Sequence, residues 1–125
     1  MLRLDVLVAG SARTVYALVI NERNEVMEYL NQLPRVPRKK VIAIMHRLVA
    51  GQSGGGFENF RRLSESVYEF KEHMTNTRLF CFWHKGAVVV CTHAHKKPGK
   101  RQLQMEIDKV KALQQRCISE GVVNA

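Results

Sequence analysis

Thr77-Arg78-Leu79-Phe80-Cys81-Phe82-Trp83-His84-Lys85-Gly86-Ala87-Val88-Val89-Val90-Cys91-Thr92-His93-Ala94-His95 holds two apolar, aromatic and β-branched runs, parted by Lys85-Gly86. Runs of that composition are strands, and a Lys-Gly pair suits a tight turn. The segment therefore reads as a hairpin of Thr77 to His84 and Ala87 to His95. With Lys85 and Gly86 as the two turn residues, Arg78 lies opposite His93, Phe80 opposite Cys91 and Phe82 opposite Val89. Strand alternation then puts Arg78, His93 and His95 on one face, with facing Cβ atoms about 5 Å apart. Leu79, Cys81, Trp83, Val88 and Val90 point the other way.

Working outward, Val67 to Glu72 is a third strand candidate, preceded by a flexible loop, Gly51-Gln52-Ser53-Gly54-Gly55-Gly56. That loop lacks the Gly-Lys-Ser/Thr ending of a phosphate-binding loop and is assigned no chemistry. Thr14 to Ile20 is another strand. Asn21 can cap a helix bearing Glu22 and Glu25 in its first turn, where the helix dipole favours negative charge. Val26, Leu30 and Leu33 recur at helical spacing until Pro34. Pro37 suits the first position of a second helix, whose stripe is Val41, Ile42, Met45, Leu48 and Val49, with a stop at Gly51. Leu103, Ile107, Val110, Leu113 and Cys117 mark an amphipathic C-terminal helix. Met1 to Ala12 is an extra strand or a loosely held arm. The expected fold is α+β in a single domain spanning 1–125: an antiparallel sheet, an N-terminal helix hairpin on one face, and a C-terminal helix.

The chain has 125 residues, enough to bury about two-thirds of its unfolded surface without staples. Its net charge of +9 points to nucleic acid, an acidic protein or an anionic surface. Between Glu72 and Glu106 there is no acidic residue, while Arg78, Lys85, Lys96, Lys97, Lys100, Arg101 and four of the five histidines fall there. Imidazoles beside fixed positive charge favour a bound polyanion and a proton moved near neutral pH. Arg78 can grip phosphate while His93 or His95 handles a proton; a tolerated surface pair is the alternative. Cys81-x-x-His84 and Cys91-x-His93-x-His95 invite a zinc reading, but the spacing matches no common finger, and Cys81 is expected to face away from Cys91. Three cysteines at no framework spacing suit a reducing, cytoplasmic setting. No stretch has the length of apolar sequence that a membrane span needs.

Tyr68-Glu69-Phe70-Lys71, Thr77-Arg78-Leu79-Phe80-Cys81-Phe82 and Gly86-Ala87-Val88-Val89-Val90-Cys91-Thr92-His93-Ala94-His95-Lys96-Lys97 together resemble the RelE/HigB toxin superfamily, in its phage-derived HigB-like branch. The resemblance implies a RelE-like fold and the toxin of a type II toxin–antitoxin pair. Its activity would be cleavage of messenger RNA on the ribosome by attack of a ribose 2′-hydroxyl, without metal or other cofactor. The implied partners are mRNA, the ribosome and a cognate antitoxin, commonly a helix-turn-helix protein, with no membrane. The implied catalytic residues are Arg78, which would bind the scissile phosphate, His93 or His95 as acid or base, and Lys96, which would steady transition-state charge. Arg61, Arg62, Lys71, Lys97, Lys100 and Arg101 would bind RNA. At Ala94 the branch carries Phe, and at Lys71 it often carries Arg. A non-catalytic basic binding module of the same fold, or a gyrase-poisoning relative, are the alternatives. An acid-poor face would be met by carboxylates of the antitoxin.

Overall fold

The computed structural model describes residues 1–51 and 59–124. The elements run β1 (Leu2–Ala9), β2 (Thr14–Ile20), α1 (Glu25–Gln32), α2 (Arg35–Val49), β3 (Phe60–Ser64), β4 (Val67–Glu72), β5 (Thr77–His84), β6 (Val88–Lys96) and α3 (Lys100–Ser119). They form a small α+β fold around one open six-stranded sheet in the order β1-β2-β6-β5-β4-β3. The sheet is mixed, not antiparallel as expected. β2 lies parallel to β6, and every other neighbouring pair is antiparallel. The cause is topological: the α1–α2 crossover carries the chain from β2 to the far edge, and three successive reversals bring β6 back beside it. Most of the Gly51–Gly56 loop lies outside the described residues.

Each sheet face has its own core. Val26, Leu30, Val41, Met45 and Leu48 of the helix pair pack on Leu79, Cys81, Val89 and Cys91. On the opposite face Ile107, Val110, Leu113 and Cys117 of α3 pack on Phe80, Phe82, Val90 and Leu18. Val90, expected on the face of Leu79 and Cys81, is instead on the α3 face, and partly buried Val88 packs there too. Val89 and Cys91 take their places.

Local chemistry differs from expectation at both helix starts. Asn24, not Asn21, caps α1, its side chain accepting the Met27 N–H at 3.0 Å. Asn21 and Glu22 instead form the turn before it, with φ of 50° and 67°. Asn tolerates that left-handed conformation because its short side chain can satisfy backbone groups locally. α2 opens at Arg35, so Pro37 sits within its first turn, where an amide N–H has no helical partner to lose.

The N-terminal segment is a strand, not a loose arm. β1 pairs with β2 along its length, and the turn between them docks on the end of α2. The Ala12 N–H donates to the Val49 carbonyl at 3.1 Å and Arg13 Nη1 to the Leu48 carbonyl at 2.9 Å. Carbonyls at a helix end need such outside partners. Gly10 permits the contact, because a Cβ there would come within 2.5 Å of the Val49 carbonyl oxygen and of Val49 Cγ2. Gly10→Ala therefore lowers stability by about 1–3 kcal/mol, read as a lower urea midpoint.

Candidate functional site

Two features of the β5–β6 hairpin decide which side chains meet. His84 pairs with Val88, so the loop holds three residues, Lys85, Gly86 and Ala87, where two were expected. Thr92 then bulges from β6, between the Cys81–Cys91 and Phe80–His93 pairs. Each feature moves the register by one residue. Together they restore the parity, so Arg78, His93 and His95 do share the α3 face, but Arg78 lies opposite His95 and not His93. Cys81 faces Cys91 directly, contrary to expectation, and both are buried. Burial, first of all, raises the Cys81 thiol well above its ordinary range, with Cys91 beside it acting the same way, so it stays protonated.

The α3 face carries two rows across β4, β5 and β6. One is Lys71, Arg78 and His95; the other is Glu69, Phe80 and His93. α3 lays Glu106 across the second row. Glu106 Oε1 is 3.2 Å from His93 Nε2, and Oε2 is 3.9 Å from His95 Nε2. Gln102 Nε2 donates to the same carboxylate at 3.1 Å. Glu69, 1% exposed, stands between two arginines: its Oε2 lies 2.5 Å from Arg61 Nε and its Oε1 3.7 Å from Arg78 Nε. Arg78 is itself buried and donates to the Thr77 carbonyl at 3.1 Å.

The face is therefore not poor in acid. Glu69 and Glu106 lie just outside the acid-free stretch of chain, yet β4 lies beside β5 and α3 crosses the face, bringing both carboxylates onto it.

The expected site residues divide accordingly. Arg61, Lys71, Arg78, His93 and His95 share the α3 face. Lys96 pairs with Thr77, which pairs with Glu72, and alternation places that row on the opposite face, so Lys96 does not join the histidines directly. Arg62 pairs with Tyr68 and is likewise on the opposite side. Lys97, Lys100 and Arg101 are exposed where β6 leads into α3. His73 and His84 lie elsewhere: His73 is exposed just past β4, and the His84 ring meets the Asn124 carbonyl. The residues that sequence reasoning missed are Glu69, Glu106, Gln102 and Thr92. Glu106 had left a signal, since it falls within the apolar stripe of α3 between Leu103 and Ile107.

The two imidazoles have different chemistry. His93, 2% exposed, stacks on Phe80 with ring centroids 5.2 Å apart. Its Nδ1 lies 2.7 Å from the Thr92 hydroxyl and its Nε2 faces Glu106. The same hydroxyl lies 3.3 Å from the Phe80 carbonyl, to which it donates, so its one hydrogen serves either that carbonyl or Nδ1. His95 is half-exposed. Its Nδ1 meets the Lys96 carbonyl, which can only accept, so Nδ1 carries a hydrogen, and in the neutral ring the lone pair is on Nε2.

Among the described residues no group of three His, Cys, Asp or Glu side chains is placed to hold a metal ion. Nor is any described helix long and apolar enough to cross a membrane.

Residues 28–115 match the family described as Phage derived protein Gp49-like (DUF891). The chain belongs to this family. The Gp49-like region runs from within α1 to within α3 and contains every residue of the two rows, together with Arg61 and Glu106. The β1–β2 hairpin lies outside it. A comparison with curated proteins finds no match.

Burial is the first cause that pushes His93 down to about 4, and the Lys109 charge adds to it; Glu106 acts in the opposite sense. Above an ordinary value of 6.5 the ring is neutral whether the chain is folded or not, and it adds no pH dependence. Between about 6.5 and about 4 the unfolded chain takes up a proton that the folded Gp49-like protein refuses, so stability falls as pH falls. Below about 4 both forms are charged and the loss levels off. The expected loss is about 2 kcal/mol by pH 5. Urea midpoints of wild type and His93→Gln, compared at pH 7 and pH 5, isolate it: the wild type loses more. Parallel losses in the two proteins would assign the effect to other groups.

Proposed function

We propose that this protein is the toxin of a type II toxin–antitoxin pair and a RelE-like, ribosome-dependent mRNA endoribonuclease. One observation carries the reading: a half-exposed imidazole, His95, backed by the buried Glu106 carboxylate, beside the exposed cations Lys97, Lys100 and Arg101. Those cations surround the start of α3, which has no side-chain cap and no acidic residue in its first turn. Positive side chains at a helix N-terminus are unfavourable alone and become favourable once an anion binds there. A phosphate of the RNA backbone is such an anion.

In this reading His95 Nε2 takes the proton of the ribose 2′-hydroxyl as that oxygen attacks the adjacent phosphorus. The bond to the 5′-oxygen breaks and that oxygen takes a proton from water, leaving a cyclic phosphate and a 5′-hydroxyl; the imidazolium then returns its proton to solvent. Glu106, 3.9 Å from Nε2, steadies the imidazolium that forms. Lysines at the start of α3 neutralise charge building on the phosphorane. Arg78 acts as a positioning residue, because Glu69 and the sheet hold it beneath the surface. His93 orders Glu106 from below.

The burial of Arg78 and His93 favours a second reading, a non-catalytic module that holds RNA through its exposed lysines. Both readings are tested by adding the purified protein to ribosomes translating a defined mRNA and mapping the ends. The nuclease yields fragments with cyclic phosphate and 5′-hydroxyl termini. Binding that weakens steeply with salt, with the mRNA left intact, leaves only the binding module. A gyrase poison would instead raise DNA damage in growing cells while message levels hold.

A further inference from the structure

The sheet ends at β1, and nothing among the described residues pairs with its outer edge. The direction of its backbone groups follows from its inner side. The Met1 carbonyl accepts from the Asn21 N–H, while the N–H and carbonyl of Ile20, which faces Leu2, both bond to Arg23. Residues 1, 3 and 5 thus turn their backbone groups toward β2, and Leu2, Leu4 and Val6 turn theirs outward. An exposed edge of this kind is a template for another strand.

We propose that this edge pairs with β1 of a second copy of the chain, antiparallel and centred on Leu4, joining two sheets into one. In that register Leu4 faces the partner's Leu4, and Leu2 faces the partner's Val6. The Leu4–Leu4 and Leu2–Val6 pairs bring outward backbone groups to outward backbone groups, with Arg3–Asp5 as the non-hydrogen-bonded pairs between them, so the ladder continues without a shift. The side chains agree on both faces. Arg3 meets the partner's Asp5, and Asp5 meets the partner's Arg3, as an isologous contact requires. On the α3 face Leu2 and Leu4 belong to the apolar cluster beneath α3, but Val6 is 59% exposed. Beside the partner's Leu2, Val6 would be covered. The irregularity between Val6 and Val8 ends the regular edge, which confines the contact to the segment that is self-complementary.

The proposal is independent of any nuclease activity. Sedimentation across a dilution series is expected to show a monomer–dimer equilibrium, and hydrogen exchange to show protection of the Leu2, Leu4 and Val6 amides that fades on dilution. Val6→Lys, at a position already open to solvent, abolishes the dimer without disturbing the fold. Arg3→Asp weakens the dimer by setting like charges opposite each other, and the exchanged pair Arg3→Asp with Asp5→Arg restores it. A wild type that stays monomeric, as would follow if this edge serves a different protein, overturns the proposal. So does a dimer that Val6→Lys leaves intact.

Discussion

On the proposed nuclease reading, alanine at His95 lowers RNA cleavage by about 10²- to 10⁴-fold, the usual worth of a positioned acid or base, and leaves the fold intact. The side chain is 44% exposed, so little packing goes with it. Its role depends on a lone pair at Nε2, which the Nδ1 contact with the Lys96 carbonyl enforces. His95→Gln can still hydrogen-bond but cannot accept a proton near neutral pH, so it should be as inactive as His95→Ala. Single-turnover rates give the sharper readout, since they separate the chemical step from binding. Glu106→Gln removes the carboxylate 3.9 Å from Nε2 and lowers the rate by a smaller factor. His93→Gln keeps the activity, because the buried ring is neutral at the pH of the assay and the proposed reaction does not call on it. Cleavage that survives His95→Gln unchanged would remove this imidazole from the chemistry and favour the binding module. Combined alanines at His93 and His95 abolish cutting as well, but fold and activity are then lost together.

The hairpin that carries the site was legible because Thr77–His84 and Val88–Lys96 are written in residues suited to strands, with a glycine between them. Arg78, His93 and His95 share a face although the loop and the pairing register both differ from expectation. The loop is one residue longer than two, and Thr92 adds another, and a pair of single shifts leaves alternation unchanged. Which residues are neighbours did change, because a bulge depends on what the partner strand needs and has no local signature here. β3 has no sequence signature of its own for a related reason. Phe60-Arg61-Arg62-Leu63-Ser64 breaks the apolar alternation with two arginines, and only its pairing with β4 makes it a strand. The parallel contact of β2 with β6 joins segments some seventy positions apart in the chain, where no local pattern reports the direction. Burial of Arg78 has no local signature for the same cause: Glu69 of the neighbouring strand reaches it through space, and charge counted along the chain does not see that contact.

Glu69→Ala is expected to cost about 3–5 kcal/mol, the largest stability loss from any single charged residue of this face. One buried carboxylate serves two guanidinium groups that differ in their surroundings. Arg61 is 53% exposed and can turn to water when its partner goes. Arg78 is 6% exposed and cannot, and a guanidinium does not shed its proton to escape the cost. Among the described residues, its charge would then be left with the Thr77 carbonyl. The reverse truncation is milder. Arg78→Met fills the space and leaves Glu69 still engaged by Arg61 at 2.5 Å. Arg61→Ala removes a pair that is half in water and costs about 0–1 kcal/mol. Urea denaturation of the three variants should therefore rank the losses Glu69→Ala, then Arg78→Met, then Arg61→Ala. Against a total stability of about 5–15 kcal/mol, the first variant stands close to unfolding at growth temperature. If Glu69→Ala were no worse than Arg61→Ala, Arg78 would have to reach solvent on its own, and the positioning role proposed for it would go with it.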